Sequence, residues 1–293
     1  MSASQTFRKT DSRPGAIDYE VAGLTWLAQA GPQAAPIVPV LDHGSTWLTE
    51  PRLRSVAPTA EAAEEFGRAL AHTHAAGAEY LGAPPPGSPS HRWIGQANLS
   101  FPTEPTGGSW GEFYATYRIA PYLDAPAFDH DDRRIMDKLC STLASGALDH
   151  DQPELVRRDG VAARIHGDMW SGNIMWTPDG ATLIDPAAQG GHAEEDLASL
   201  SVFGAPFTER IRAAYDEESP LGPRMAGAHR TAPGAHARHA LCRVRTLLRG
   251  PDGVHRTPLG VRSGGTGVRH GGVSHGSHHR WIRCTCPTDM CYG

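Results

Sequence analysis

Hydrophobic positions change their period several times along the chain, and each change marks an expected element. "TFRKT" (Thr6–Thr10) alternates and predicts a short strand. "AIDYEVAGLTWLAQAG" (Ala16–Gly31) predicts a helix with Val21, Leu24 and Leu27 on one face, ended by Gly31-Pro32. "IVPVLDHG" and "STWLTEPRL" predict two further strands separated by a turn at His43-Gly44. Between Pro58 and Gly77 the spacing predicts a helix capped by Thr59, with Phe66, Ala69, Leu70 and Thr73 on its buried side and His74 in a structural place near its end.

The Pro- and Gly-dense run from Gly82 to Gly108 predicts a long loop, an uncommon feature inside a domain and a candidate for function. Helical spacing resumes at "SWGEFYATYRIAPYLDAP", where Trp110, Phe113, Tyr114 and Tyr117 make an aromatic stripe read as core. In "HDDRRIMDKLCSTLASGAL" the inward positions are expected to be Ile135, Leu139 and Leu143, with Cys140 a buried free thiol. "ARIHGDMW" then reads as a short apolar approach followed by a Gly turn, and "NIMWT", "PDG" and "ATLIDPA" predict a hairpin of two strands.

Composition divides the chain of 293 residues near Leu221. Residues 1–221 carry 16 basic and 30 acidic side chains, whereas residues 222–293 carry 11 Arg, no Lys and two Asp. The tail also holds four of the five cysteines (Cys242, Cys284, Cys286, Cys291) and eight of the sixteen histidines, around a Gly-rich run. Its C-x-C-x4-C spacing is not a standard paired zinc pattern, and it is nearly free of aromatic residues for base stacking, so neither metal nor nucleic acid is expected there. We expect the tail to be disordered, and a shifted reading frame near Leu221 would produce such a change of composition. No apolar run reaches membrane-spanning length and the N-terminus lacks the apolar core of a secretion signal, so a cytoplasmic chain without membrane contact is expected.

The chemistry concentrates in "HGDMWSGNIMWTPDGATLIDPA". Asp168 and Asn173 fall in or beside one loop, and Asp185 falls at the end of the hairpin's return strand. A loop carboxylate can take a proton from a hydroxyl, while an amide oxygen and a second carboxylate are hard ligands for magnesium. The kinase pattern places an Asp base five residues before a metal-binding Asn, with a metal-binding Asp later, and Asp168, Asn173 and Asp185 have that spacing. Phosphoryl transfer is the expected chemistry, against the alternative that Asp and Asn only build turns here.

"HGDMWSGNIMW" followed by "LIDPAAQGGHAEEDLA" resembles the fructosamine kinase (ketosamine 3-kinase) family of the protein-kinase-like superfamily, which includes aminoglycoside phosphotransferases and choline kinases. The resemblance covers about residues 6–219. It implies an α+β, protein-kinase-like two-lobed fold, with a partial N-terminal lobe over residues 1–54, a mainly helical C-terminal lobe over 55–221 and the atypical tail from 222. It implies Asp168 as the base toward a sugar hydroxyl, Asn173 and Asp185 as Mg2+ ligands, Lys9 as the nucleotide-contacting lysine, Glu20 as its ion-pair partner, and Glu50 at the hinge whose backbone meets adenine. His166, Trp170, His192 and Asp196 are implied as substrate or loop support. ATP and Mg2+ are the implied cofactors, and a ketosamine, free or attached to a glycated protein, the implied partner, with a monomer favoured.

Two departures temper the resemblance. The family carries further strands and a phosphate-covering loop before the lysine strand, yet only eight residues precede Lys9; and the family continues with helices where the tail stands. The expectation is therefore a truncated N-terminal lobe with weakened ATP binding. An aminoglycoside- or choline-type phosphotransferase and an inactive pseudokinase are the alternatives.

Overall fold

The computed structural model describes residues 5–105, 109–125, 128, 130–159 and 161–222. Apart from Gly222 the tail, with its expected disorder and cysteines, lies outside the described residues.

Strand β1 (Thr6–Thr10) pairs antiparallel with β3 (Trp47–Pro51), and β2 (Asp42–Gly44) pairs with the other edge of β3, giving a three-stranded sheet in the order β1-β3-β2. In its register Lys9 stands opposite Leu48 and Phe7 opposite Glu50, so these four share one face. Helix α1 (Ala16–Ala28) buries Ile17, Tyr19, Glu20, Leu24, Trp26 and Leu27. A carboxylate within that stripe requires a partner, because burying a lone charge is costly.

Of the expected strand "IVPVLDHG" only Asp42–Gly44 joins the sheet, as β2, so the turn falls at Ser45-Thr46 and not at His43-Gly44, and "IVPV" does not extend the sheet. Pro36 and Pro39 remove two amide donors from the segment. Its remaining groups turn elsewhere: the Val38 amide donates to Leu183 O at 3.0 Å, and the Leu183 amide donates to Pro36 O at 2.8 Å. The segment thus lies parallel against β8 (Gly180–Leu183), with a bridge from Ile37 to Leu183.

Helix α2 (Ala60–Ala75) starts at Thr59, whose hydroxyl accepts the Ala62 amide. It packs along α7 (Thr208–Glu218), and the core between them and the hairpin of β7 (Ile174–Thr177) with β8 contains Phe66, Leu70, Trp176, Leu183, Leu197, Ile211 and Tyr215. Fully burying one such large side chain stabilises the fold by about 1.5–3 kcal/mol. Gly67 lets the two helices approach: a Cβ there would stand 2.2 Å from Ile211 O.

The long loop is only partly irregular, since β4 (Trp93–Ile94) and β5 (Ala97–Asn98) form a small hairpin within it. The aromatic stripe begins in α3 (Trp110–Tyr114) and continues through a wider turn over Ala115–Ile119 and a tighter one over Ala120–Tyr122. Phe113 is buried, while Trp110, Tyr114 and Tyr117 are partly buried around it.

In α4 (His130–Ala144) the inward positions are Met136 and Leu143, flanked by Leu139 and Cys140; Ile135 is 51% exposed, contrary to expectation. Helical geometry explains the correction. Eight residues from 135 to 143 leave the two side chains roughly 80° apart around the axis, whereas seven from 136 leave about 20°. Cys140 is only partly buried, so the thiol is less enclosed than expected.

The C-terminal part adds α5 (Glu154–Asp159), β6 (Ala163–Ile165), β9 (Gln189–Gly191) and α6 (Glu194–Phe203). Strand β9 was not expected, and it pairs antiparallel with β6 to carry the chain back past the loop that begins at His166. Among the described residues no helix is long and apolar enough to cross a membrane.

Candidate active site

Lys9 projects from β1 to Glu20 on α1 and to Asp185. Its Nζ lies 2.8 Å from Glu20 Oε2 and 3.0 Å from Asp185 Oδ1. Burial works against the ammonium charge, but the two carboxylates outweigh it and hold the lysine above its ordinary pKa. Burial also raises Glu20, and the neighbouring Asp185 and Glu50 add to the rise against the attraction of Lys9. Glu50, placed at the hinge from sequence, turns its side chain inward from β3 and is 5% exposed. Burial and the charge of Asp185 push its carboxyl up to about 7, and its Oε1 is enclosed without a hydrogen-bond partner. Three carboxylates thus crowd one ammonium, an arrangement that favours an added cation.

Asp185 itself adopts φ 53°, in the left-handed region that a residue with a Cβ enters at a cost of about 1–3 kcal/mol. The loop before it is tied to the same point. Asn173 is buried at 4% exposure, and its Nδ2 donates to Asp168 O at 2.8 Å, to Asp168 Oδ2 at 3.0 Å and to Asp185 O at 3.3 Å. The structure therefore brings Asp168, Asn173 and Asp185 together and links them through Asp185 to Lys9 and Glu20.

His166 lies beneath the loop, fully buried. Its Nδ1 accepts the Asp168 amide at 3.2 Å while its Nε2 stands 2.9 Å from Ile184 O, so a neutral ring donates through Nε2 and joins the residues before Asp185 to Asp168. Gly167 (φ 77°) makes the turn possible, since a Cβ there would stand 2.1 Å from Ala187 O. Trp170 is partly buried, and its ring lies over Gly172 within its own loop.

Asp196, at the first turn of α6, holds this loop from behind. It accepts the amides of His166 at 2.7 Å and Gly167 at 3.0 Å, and faces His74 Nε2 at 3.2 Å. Burial works to raise its carboxyl, but these hydrogen bonds and the histidines beside it outweigh burial and lower it. His74 is completed by Tyr215, whose hydroxyl stands 2.9 Å from Nδ1. This His74–Tyr215 support was not assigned to the site from sequence, because its members come from α2, α6 and α7 and no local spacing connects them. His192 does not reach the loop: it lies at the far end of β9, where its amide and the Trp110 indole share Glu195 Oε1. Nearby, Arg118 donates to Gln189 and to Ser100 O, fastening the aromatic segment to β9.

Chemically, the cluster offers one half-buried carboxylate, an amide, a second carboxylate and an ammonium. Asn173 engages its neighbours through Nδ2, so its amide oxygen is the atom it offers to a cation. That oxygen and the Asp185 carboxylate make an all-oxygen donor set, which fits Mg2+ better than a soft metal.

The family model described as fructosamine kinase matches residues 3–231. Mouse ketosamine-3-kinase is 34% identical over 116 residues, covering 39% of this chain and 35% of that protein. A Staphylococcus aureus protein described as a probable ketoamine kinase is 26% identical over 218 residues, covering 69% of this chain and 66% of that protein. The chain thus spans between about a third and two thirds of the length of these relatives. Among solved structures, a Thermobifida fusca protein described as a fructosamine-3-kinase superposes with a TM-score of 0.64 at 34% identity, over 83% of this chain and 85% of that one. The α+β fold is shared with that fructosamine-3-kinase structure.

Proposed function

Because the chain belongs to the fructosamine kinase family, we propose that it transfers the γ-phosphoryl group of ATP to a hydroxyl of a ketosamine, free or attached to a protein. The observation that carries this reading is the meeting of Asp168, Asn173 and Asp185 around one point, with Lys9 bridging Asp185 to Glu20.

In this reading the acceptor hydroxyl lies against Asp168, which takes its proton as the oxygen attacks the γ-phosphorus. The bond from that phosphorus to the β–γ bridging oxygen breaks, and ADP departs with the electron pair. Mg2+ held by Asn173 and Asp185 would supply charge neutralisation on the phosphates. Lys9 contacts the phosphates with its compact ammonium, and Glu20 keeps it pointed there. Hydrogen bonds from Asn173 Nδ2 fix the Asp168 carboxylate, and His166 and Asp196 hold the loop, so little reorganisation remains at the moment of transfer.

On a ketosamine, phosphate beside the keto carbon leaves far more readily than hydroxide. The phosphorylated adduct then decomposes and frees the amine, which would make the reaction a deglycation step. Its dependence on ATP fits a cytoplasmic setting.

The test is ADP release from MgATP with fructosyl-lysine, a glycated peptide, an aminoglycoside or choline as acceptor. Turnover on fructosyl-lysine that falls at least ~1000-fold in Asp168→Ala is expected. Turnover unchanged in Asp168→Ala removes the assigned base; turnover confined to aminoglycoside or choline removes the ketosamine.

A further inference from the structure

Away from the cleft, three potential metal ligands meet beside β9. His150 follows α4, His192 follows β9 and Glu194 opens α6, and one ligand atom from each lies within 4.8 Å of the others. The His150 and His192 rings are 4.5 Å apart between centroids. His192 and Glu194 are only 3% and 6% exposed, and Glu194 Oε1 is enclosed without a hydrogen-bond partner. A buried carboxylate oxygen lacking a partner beside two imidazoles is an unusual expense in a folded chain.

The contact between His150 and Glu194 sharpens the point. His150 Nδ1 stands 3.0 Å from Leu148 O and so donates its proton there. In the neutral ring Nε2 is then a lone pair, and it faces Glu194 Oε2 at 2.5 Å. At that separation one proton lies between nitrogen and oxygen, and a metal ion binding both atoms would take its place.

We infer that His150, His192 and Glu194 form a binding site for a single transition-metal dication, with zinc the best match. Two imidazoles and one carboxylate suit zinc, whereas Mg2+ and Ca2+ prefer oxygen alone. Zinc–ligand bonds of about 2.0–2.2 Å place tetrahedral ligand atoms roughly 3.4 Å apart, so on binding the widest pair closes by up to about 1.4 Å and the His150–Glu194 pair opens by about 0.9 Å. His192 Nδ1 now takes the Glu194 amide at 3.3 Å, a long hydrogen bond for a metal to displace. Water would complete the fourth position.

Bound there, the ion fastens the segment after α4 to the β9–α6 junction. Gln152 already spans the same gap through the Gly191 carbonyl and the Ala193 amide. The role is structural and does not depend on the phosphotransfer reading: it steadies the first turn of α6, from which Asp196 holds the catalytic loop.

The test uses the full chain, stripped with chelator and dialysed against buffered submicromolar Zn2+ in excess Mg2+, which occupies oxygen sites. Because the tail is rich in Cys and His, the readout is the difference between wild type and His192→Ala or Glu194→Gln. Each variant is expected to bind one equivalent fewer, or to bind that equivalent at least about tenfold more weakly. The Co2+-loaded difference spectrum should show visible d–d bands without thiolate charge transfer. Glu194→Gln preserves side-chain shape and carries the test should His192→Ala fail to fold. Equal stoichiometry and affinity in wild type and Glu194→Gln, or a difference spectrum dominated by thiolate bands, would overturn the assignment.

Discussion

Replacing Asp196 by Ala removes one buried carboxylate and strands three groups at once: the amides of His166 and Gly167 and the ring of His74. A hydrogen bond to a charged acceptor contributes about 1.5–3 kcal/mol, and removing one member of a buried charged pair costs about 3–5 kcal/mol. The three contacts share one carboxylate and do not add, so the expected loss is about 4 kcal/mol, a large part of the roughly 5–15 kcal/mol that holds a typical domain folded. At a urea slope of about 2–3 kcal/mol/M the midpoint should fall by about 1.5–2 M. Asp196→Asn keeps one oxygen acceptor and should lose about half as much. Phosphotransfer by whatever remains folded should also fall, because the loop bearing Asp168 has lost its rear anchor. The assay is equilibrium urea unfolding followed by tryptophan fluorescence and far-UV circular dichroism together. A midpoint shift below about 0.3 M for Asp196→Ala would refute the reasoning, since it would mean that the two amides find other partners at no cost.

Gly67→Ala puts a methyl group 2.2 Å from Ile211 O; it should destabilise by about 1–3 kcal/mol despite the helix preference for Ala, and thermal melting that rises instead would contradict the α2–α7 packing. Tyr215→Phe leaves His74 Nδ1 without its partner and should cost about 1 kcal/mol in urea unfolding, clearly less than Asp196→Ala. Glu50 has a folded pKa of about 7, above its unfolded value, so its contribution is full below the unfolded value and is lost as pH rises through about 7. Without nucleotide or metal, Glu50→Gln should therefore be more stable than wild type at pH 8, by up to about 3 kcal/mol, and the gap should close by pH 5. Lys9→Met should weaken ATP binding by about 100-fold in titration calorimetry, because it removes the phosphate-facing charge and leaves Glu20 and Asp185 facing each other.

Local chemistry was the legible part of the sequence. The spacing of Asp168, Asn173 and Asp185 could be read because a Gly turn and a hairpin set their separation within a few residues. The Thr59 cap and the buried side of α2 were legible for the same reason. Contacts made by distant segments were not: nothing in the spacing of His74, Asp196 and Tyr215 connects three helices. The inward turn of Glu50 depends on a strand register that a five-residue pattern leaves open. Ile135 misled because eight positions fit a loose helical stripe in which seven fit better, and "IVPV" misled because β-branched residues outweighed the two prolines beside them.

The backbone clasp between residues 36–38 and β8 gives the site a mechanical character. Leu183 is held on both sides of its peptide unit, two residues before Asp185, by the stretch that follows the helix bearing Glu20. Pulling on either acid loads the same short strap, so the ammonium's two anchors behave as ends of one lever and not as separate posts. A substitution at Pro36 or Val38 is thereby a handle on how far apart those ends can swing.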